Sequence, residues 1–156
     1  MFRRPPRSTL FPSTPLFRSA GPGNDTVWGG EGRNYLRGDE GSDSLTGGGE
    51  FDDLHGNAGN DTLRGGAGDD WVVGGKDQDD LRGEAGGDIV YGNLGVDTCY
   101  GDDGNDIVRG GQQNDILYGG AGDDWMSGDR DNDTISGGSG ADIFHSFGDA
   151  GIDRVL

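Results

Sequence analysis

The chain has 156 residues, with 29 acidic side chains against 12 basic, 35 glycines and only 29% apolar residues. So little apolar material excludes an ordinary hydrophobic core, and a net charge of −17 opposes nucleic acid or an anionic membrane surface as partner. No apolar run reaches the roughly 18 residues that span a bilayer, and the lone Cys99 excludes an intramolecular disulfide framework and a cysteine-based zinc site. Low hydropathy with high charge, taken alone, reads as disorder. The order of the residues says otherwise.

Residues 1–19 hold four of the five prolines and four of the twelve bases, but no glycine and no acid. The stretch from Leu10 to Phe17 is broken by prolines and hydroxyl residues, so no secretory signal peptide is expected there. Ser8 to Ser19, STLFPSTPLFRS, is similar to the translation of a sequencing adapter, STLFPYTTLFRS. Residues 1–19 are accordingly read as a non-domain segment, an assembly artefact or a Pro-rich linker, and are set apart from the fold.

From Ala20 to His145 the chain divides without remainder into fourteen nonapeptides, among them GNAGNDTLR (56–64), GGAGDDWVV (65–73), GDDGNDIVR (101–109) and GGSGADIFH (137–145). The first position is Gly except at Ala20, and the sixth is Asp except at Asn34. The fourth is Gly except at Glu50, Asp77, Gln113 and Asp131. The eighth is always apolar: Val27, Leu36, Leu45, Leu54, Leu63, Val72, Leu81, Val90, Cys99, Val108, Leu117, Met126, Ile135 and Phe144.

Glycines at positions one, two and four are expected to supply positive φ in a short loop. Asp77 and Asp131 suit that geometry, whereas Glu50 and Gln113 suit it less well. Positions seven to nine predict a very short strand whose eighth residue points inward. Two units then make one turn, so residues 18 apart stack about 4.8 Å from each other. Position six forms two columns. Column A holds Asn34, Asp52, Asp70, Asp88, Asp106, Asp124 and Asp142; column B holds Asp25, Asp43, Asp61, Asp79, Asp97, Asp115 and Asp133. Stacked carboxylates repel by about 1 kcal/mol per neighbouring pair even in water. A hard divalent cation in each gap reverses that sign, and carboxylates with loop carbonyls suit Ca²⁺ better than Mg²⁺. Seven residues per column leave six gaps, hence up to about twelve Ca²⁺. Every Asp of the two columns is a candidate metal ligand, with those of column A that keep Gly at position four (Asp70, Asp88, Asp106, Asp124 and Asp142) the cleanest set.

The units resemble the G-G-x-G-x-D-x-U-x repeat of the RTX, or hemolysin-type, calcium-binding family. The resemblance implies an all-β fold, a parallel β-roll (a right-handed β-helix of nonapeptide repeats with two short-stranded sheets) over residues 20–145. It also implies a secreted, extracellular bacterial protein, exported unfolded by a type I system and folding on Ca²⁺ outside the cell. The segment itself is expected to ligate ions, not to catalyse: it has no H-E-x-x-H and no G-x-S-x-G. Two other parents remain open, a secreted protease or lipase with its catalytic domain elsewhere, and an adhesin with this roll as a structural segment. An ice-binding roll is disfavoured, because the third position carries no Thr.

Outward positions differ between the sheets. On one, the seventh position runs Trp71, Ile89, Ile107, Trp125, Ile143, an apolar stripe about 19 Å long, expected to meet a neighbouring domain or a second copy. His55 and His145 stand on distant turns and share no site, and Cys99 reads as a core residue. Asp129 to Asp133 imitates the start of an EF-hand loop, but Thr134 replaces its Gly and Gly140 its bidentate Glu. After His145 the period breaks. Residues 146–156 are similar to the segment that closes such arrays in the family, with Asp149 and Asp153 completing a last site and Phe147, Ile152 and Val155 covering the open end.

Overall fold

The computed structural model describes residues 16–145 and 151–156. Among the described residues there is no helix. Sheet A is built from β1 (Leu16–Pro22), β3 (Asn34–Glu40), β5 (Asp52–Ala58), β7 (Trp71–Lys76), β9 (Ile89–Leu94), β11 (Ile107–Gln112), β13 (Trp125–Asp129) and β15 (Ile143–Phe144). Sheet B is built from β2 (Thr26–Gly30), β4 (Ser44–Gly49), β6 (Thr62–Ala67), β8 (Asp80–Ala85), β10 (Thr98–Asp103), β12 (Ile116–Ala121), β14 (Thr134–Ser139) and β16 (Arg154–Val155). Consecutive strands alternate between the sheets and every pairing is parallel, which makes the molecule a β-solenoid. The 18-residue turn fixes the register: Leu45 pairs with Leu63 and Val72 with Val90.

The core follows from one side chain per unit. Thirteen of the fourteen eighth-position residues lie between 0 and 8% exposed, Cys99 among them. Phe144, on the last strand of sheet A, is 40% exposed, because no described strand pairs beyond β15.

Three expectations need correction. The strands are longer than positions seven to nine. They run on through positions one to three of the next unit, where Gly48 pairs with Gly66 and Gly49 with Ala67. Positive φ occurs at positions two and four, and position one does not use it. There alternation continues inward, so the glycines at 38, 47, 56 and 65 are buried like the sixth and eighth residues. Glu50 and Gln113 do take the left-handed conformation, at φ 63° and 80°, as Asp77 does at 75°.

The third correction concerns the ends. β1 begins at Leu16, inside the segment set apart from the fold, because Phe17 falls opposite Tyr35 and stacks on it at 4.5 Å. At the other end, β16 joins sheet B with Ile135 opposite Val155, twenty residues on instead of eighteen. A two-residue insertion after His145 is thus followed by one more unit in phase, Asp153 at position six and Val155 at position eight. Val155 lies over Ile135 at the end of its column, 52% exposed itself while Ile135 is 1% exposed, whereas Ile152 is 86% exposed. Phe147 and Asp149 lie outside the described residues.

Candidate metal centre

Position six sits at the end of each turn between the sheets, one residue before the strand or, for Asn34 and Asp52, at its first residue. Strand alternation turns its side chain inward, beneath its own turn. Asp43, Asp52, Asp61, Asp70, Asp79, Asp88, Asp97, Asp106, Asp115, Asp124 and Asp133 are each no more than 3% exposed. Asp25 and Asp142, at the column ends, are half-buried.

The two oxygens of each carboxylate have different fates. The backbone N–H of one Asp donates to Oδ1 of the Asp on the next turn: Asp52 to Asp70 at 2.7 Å, Asp79 to Asp97 at 2.9 Å, Asp106 to Asp124 at 2.9 Å. The same bond links Asp25 to Asp43 and Asp124 to Asp142. It continues to Asp153, whose Oδ1 accepts from Asp133 at 3.3 Å, so Asp153 takes the next rung of column B. Oδ2 has no such partner. In all eleven buried aspartates it is without a hydrogen bond.

A buried, unpaired carboxylate oxygen is costly, and its consequence is visible in the titration of these groups. Burial pushes Asp79 and Asp115 up to about 8, Asp70 and Asp106 up to about 7, and Asp52, Asp61, Asp88, Asp97 and Asp133 up to about 6. Asp124 is raised for the same reason. The backbone N–H bond pulls the other way in each case and loses, and repulsion from stacked aspartates adds to burial at Asp70, Asp79, Asp106 and Asp115.

The first-position glycines explain where Oδ2 points. A Cβ on Gly92 would stand 2.5 Å from Asp97 Oδ2 and 2.6 Å from the Gly110 carbonyl oxygen; on Gly65 it would stand 2.5 Å from Asp70 Oδ2 and 2.7 Å from the Gly83 carbonyl oxygen. At Gly38, Gly47, Gly56, Gly65, Gly92, Gly101 and Gly119 the gap is faced by a carboxylate oxygen of one turn and a glycine carbonyl of the next, in space that any larger residue would fill. Among the described residues no three His, Cys, Asp or Glu side chains converge on one point. An ion in such a gap would draw on carbonyl oxygens as well as carboxylates, and an all-oxygen, mixed carboxylate and carbonyl set is calcium chemistry. The sequence predicts loop carbonyls beside the carboxylates but does not single out position one as the glycine whose carbonyl faces the gap; its near-invariance, with no positive φ to explain it, is the signal.

The family pattern of the RTX calcium-binding nonapeptide repeat, in its four-copy form, matches residues 19–54, 46–81, 76–108, 100–135, 109–144 and 118–155. The chain belongs to the RTX calcium-binding nonapeptide repeat family. Comparison with curated proteins gives no match. The RTX roll is a structural calcium-binding module, and its buried ladder of aspartates fits that chemistry. No helix of the described residues is long and apolar enough to cross a membrane.

Other singled-out residues of the RTX roll stand apart from the ladder. Trp71, Ile89, Ile107, Trp125 and Ile143 are successive neighbours on the outer face of sheet A. His55 Nε2 lies 2.8 Å from Asp53 Oδ1, and Arg37 reaches the same oxygen at 3.2 Å. Burial, then Arg37, lowers His55, against the pull of Asp53. Burial holds the Cys99 thiol well above its ordinary range, an inert core residue and not a nucleophile.

Proposed function

We propose that the thirteen aspartates Asp25, Asp43, Asp52, Asp61, Asp70, Asp79, Asp88, Asp97, Asp106, Asp115, Asp124, Asp133 and Asp142 ligate calcium and that this ligation folds the chain outside the cell. The carrying observation is the file of buried Oδ2 atoms without partners. Bound calcium supplies the positive charge that lets stacked carboxylates stay ionised and buried. The chain's own residues do the rest: Oδ1 holds the register through the N–H of the turn before, Oδ2 faces the gap, and the first-position glycine clears the space.

Extracellular-type calcium sites, at about 10⁻⁴–10⁻³ M, stay vacant in a cytosol and fill outside the cell. Binding to the folded state alone then drives folding by mass action. That sequence of events suits export of an unfolded chain, the type I route of secreted RTX proteins. Circular dichroism after EGTA treatment tests the proposal: CaCl₂ converts coil into β structure cooperatively, and MgCl₂ is far less effective. A chelator-treated chain that is already compact and sheet-rich overturns it.

A further inference from the structure

Column A departs from its own rule at its N-terminal end. Asn34 occupies position six, 1% exposed, opposite Asp52. Its backbone N–H donates to Asp52 Oδ1 at 2.7 Å, as those of the aspartates from Asp25 to Asp133 do to theirs. The side chain differs. Nδ2 stands where the aspartates carry Oδ2, and it donates to the same Asp52 Oδ1 at 2.8 Å and to the Gly32 carbonyl at 2.8 Å. Both partners are pure acceptors, so the atom facing them must be the nitrogen. Gly29 shows that this nitrogen fills the cradle, since a Cβ there would lie 2.5 Å from Asn34 Nδ2 and 2.6 Å from the Gly47 carbonyl oxygen. The elements match those of the Gly92 and Asp97 gap one for one, with an N–H pair in place of an orphaned oxygen.

We propose that the Asn34 amide is a built-in substitute for the cation, closing the gap between Asn34 and Asp52 without calcium. The inference rests on the calcium reading of the other gaps. Two amide hydrogens carry partial positive charge to Asp52 Oδ1 and the Gly32 carbonyl, and the gap lacks the unpartnered negative Oδ2 that the aspartates present. Of the six gaps in column A, five take calcium. The first turn of that column is thereby held before the ions arrive, next to the end of the roll where Asp25 of column B is only half-buried.

Ion counting by native mass spectrometry at saturating CaCl₂, on the full chain, tests this. Asn34→Asp restores an Oδ2 and is expected to raise the count by one. Asn34→Ala is expected to leave the count as in the parent while amide exchange over residues 29–37 becomes about tenfold faster or more. Asp70→Asn, the reverse change in mid-column, lowers the count by at least one. An unchanged count in Asn34→Asp, or a lower count in Asn34→Ala, overturns the proposal, the latter by showing Asn34 to be a ligand. If the parent binds no calcium at all, the calcium reading itself fails, an outcome distinct from either.

Discussion

Two kinds of buried column run the length of this molecule, and they are buried equally but not alike. The eighth-position residues from Leu36 to Met126 are 0% exposed, and the aspartates from Asp43 to Asp133 are 0 to 3% exposed. Burial by itself stabilises the first column, since each leucine or valine leaves water and asks for nothing else. The second column gains only half of what it needs: one oxygen receives a backbone N–H, and the other receives nothing from the protein. Fold and ligand demand are thus separated by two positions in the same strand. A core of one apolar side chain per nine residues is thin, and the proposal that calcium folds the chain assigns the decision to the unsatisfied column.

The harshest way to break the comparison is to remove the ions. EGTA is expected to remove the β structure seen in far-ultraviolet circular dichroism apart from a remnant at the first turn of column A, while both columns keep their residues. Substitution sharpens it next. Leu81→Ala should cost about 2–5 kcal/mol at every calcium concentration, measured by urea unfolding of the calcium-loaded chain. Asp97→Asn should instead change sign with conditions. It raises the calcium midpoint by about tenfold or more, yet it makes the chelated chain more structured, because a buried charge is gone. If Asp97→Asn behaves like Leu81→Ala in both conditions, the two columns are of one kind. Gly92→Ala leaves every ligand side chain in place but sets a methyl against Asp97 Oδ2 and the Gly110 carbonyl. A calcium titration should show a loss comparable to Asp97→Asn.

A smaller effect comes from pH. Burial raises the carboxyl groups of the metal-free fold, with Asp79 and Asp115 at about 8 and Asp97 at about 6. Between about pH 4 and pH 8 that fold therefore holds protons that the unfolded chain has released. Its stability falls as pH rises through this window and is greatest at the acid end. Calcium must displace the same protons, so uptake releases acid and the calcium midpoint falls by about tenfold between pH 6 and pH 8. Isothermal titration in two buffers of different ionisation enthalpy measures the release. The smallest effect is expected from the outer stripe. Ile89→Thr with Ile107→Thr alters side chains that are 38% and 40% exposed, and the calcium midpoint should stay within about twofold. A large shift would show that outward apolar residues share the work of the inner column.

The nine-residue period, read without any structure, was enough to determine the solenoid, the two stacked columns and the inward eighth residue. Each of these follows from alternation and from stacking at 18 residues, which are local rules repeated. Three things were decided only when the turns were laid on one another. Position one must be Gly because Asp Oδ2 and a carbonyl from the next turn crowd its Cβ, a constraint between residues five and eighteen apart in the chain. Asn34 donates where its counterparts carry an orphaned oxygen, and that requires knowing that Asp52 Oδ1 and the Gly32 carbonyl stand before it. That the last unit regains phase two residues late, with Val155 opposite Ile135, is shown only by strand pairing, and pairing is not written in a count of residues. Periodicity encodes what each residue faces; only contact between turns encodes what that residue lacks.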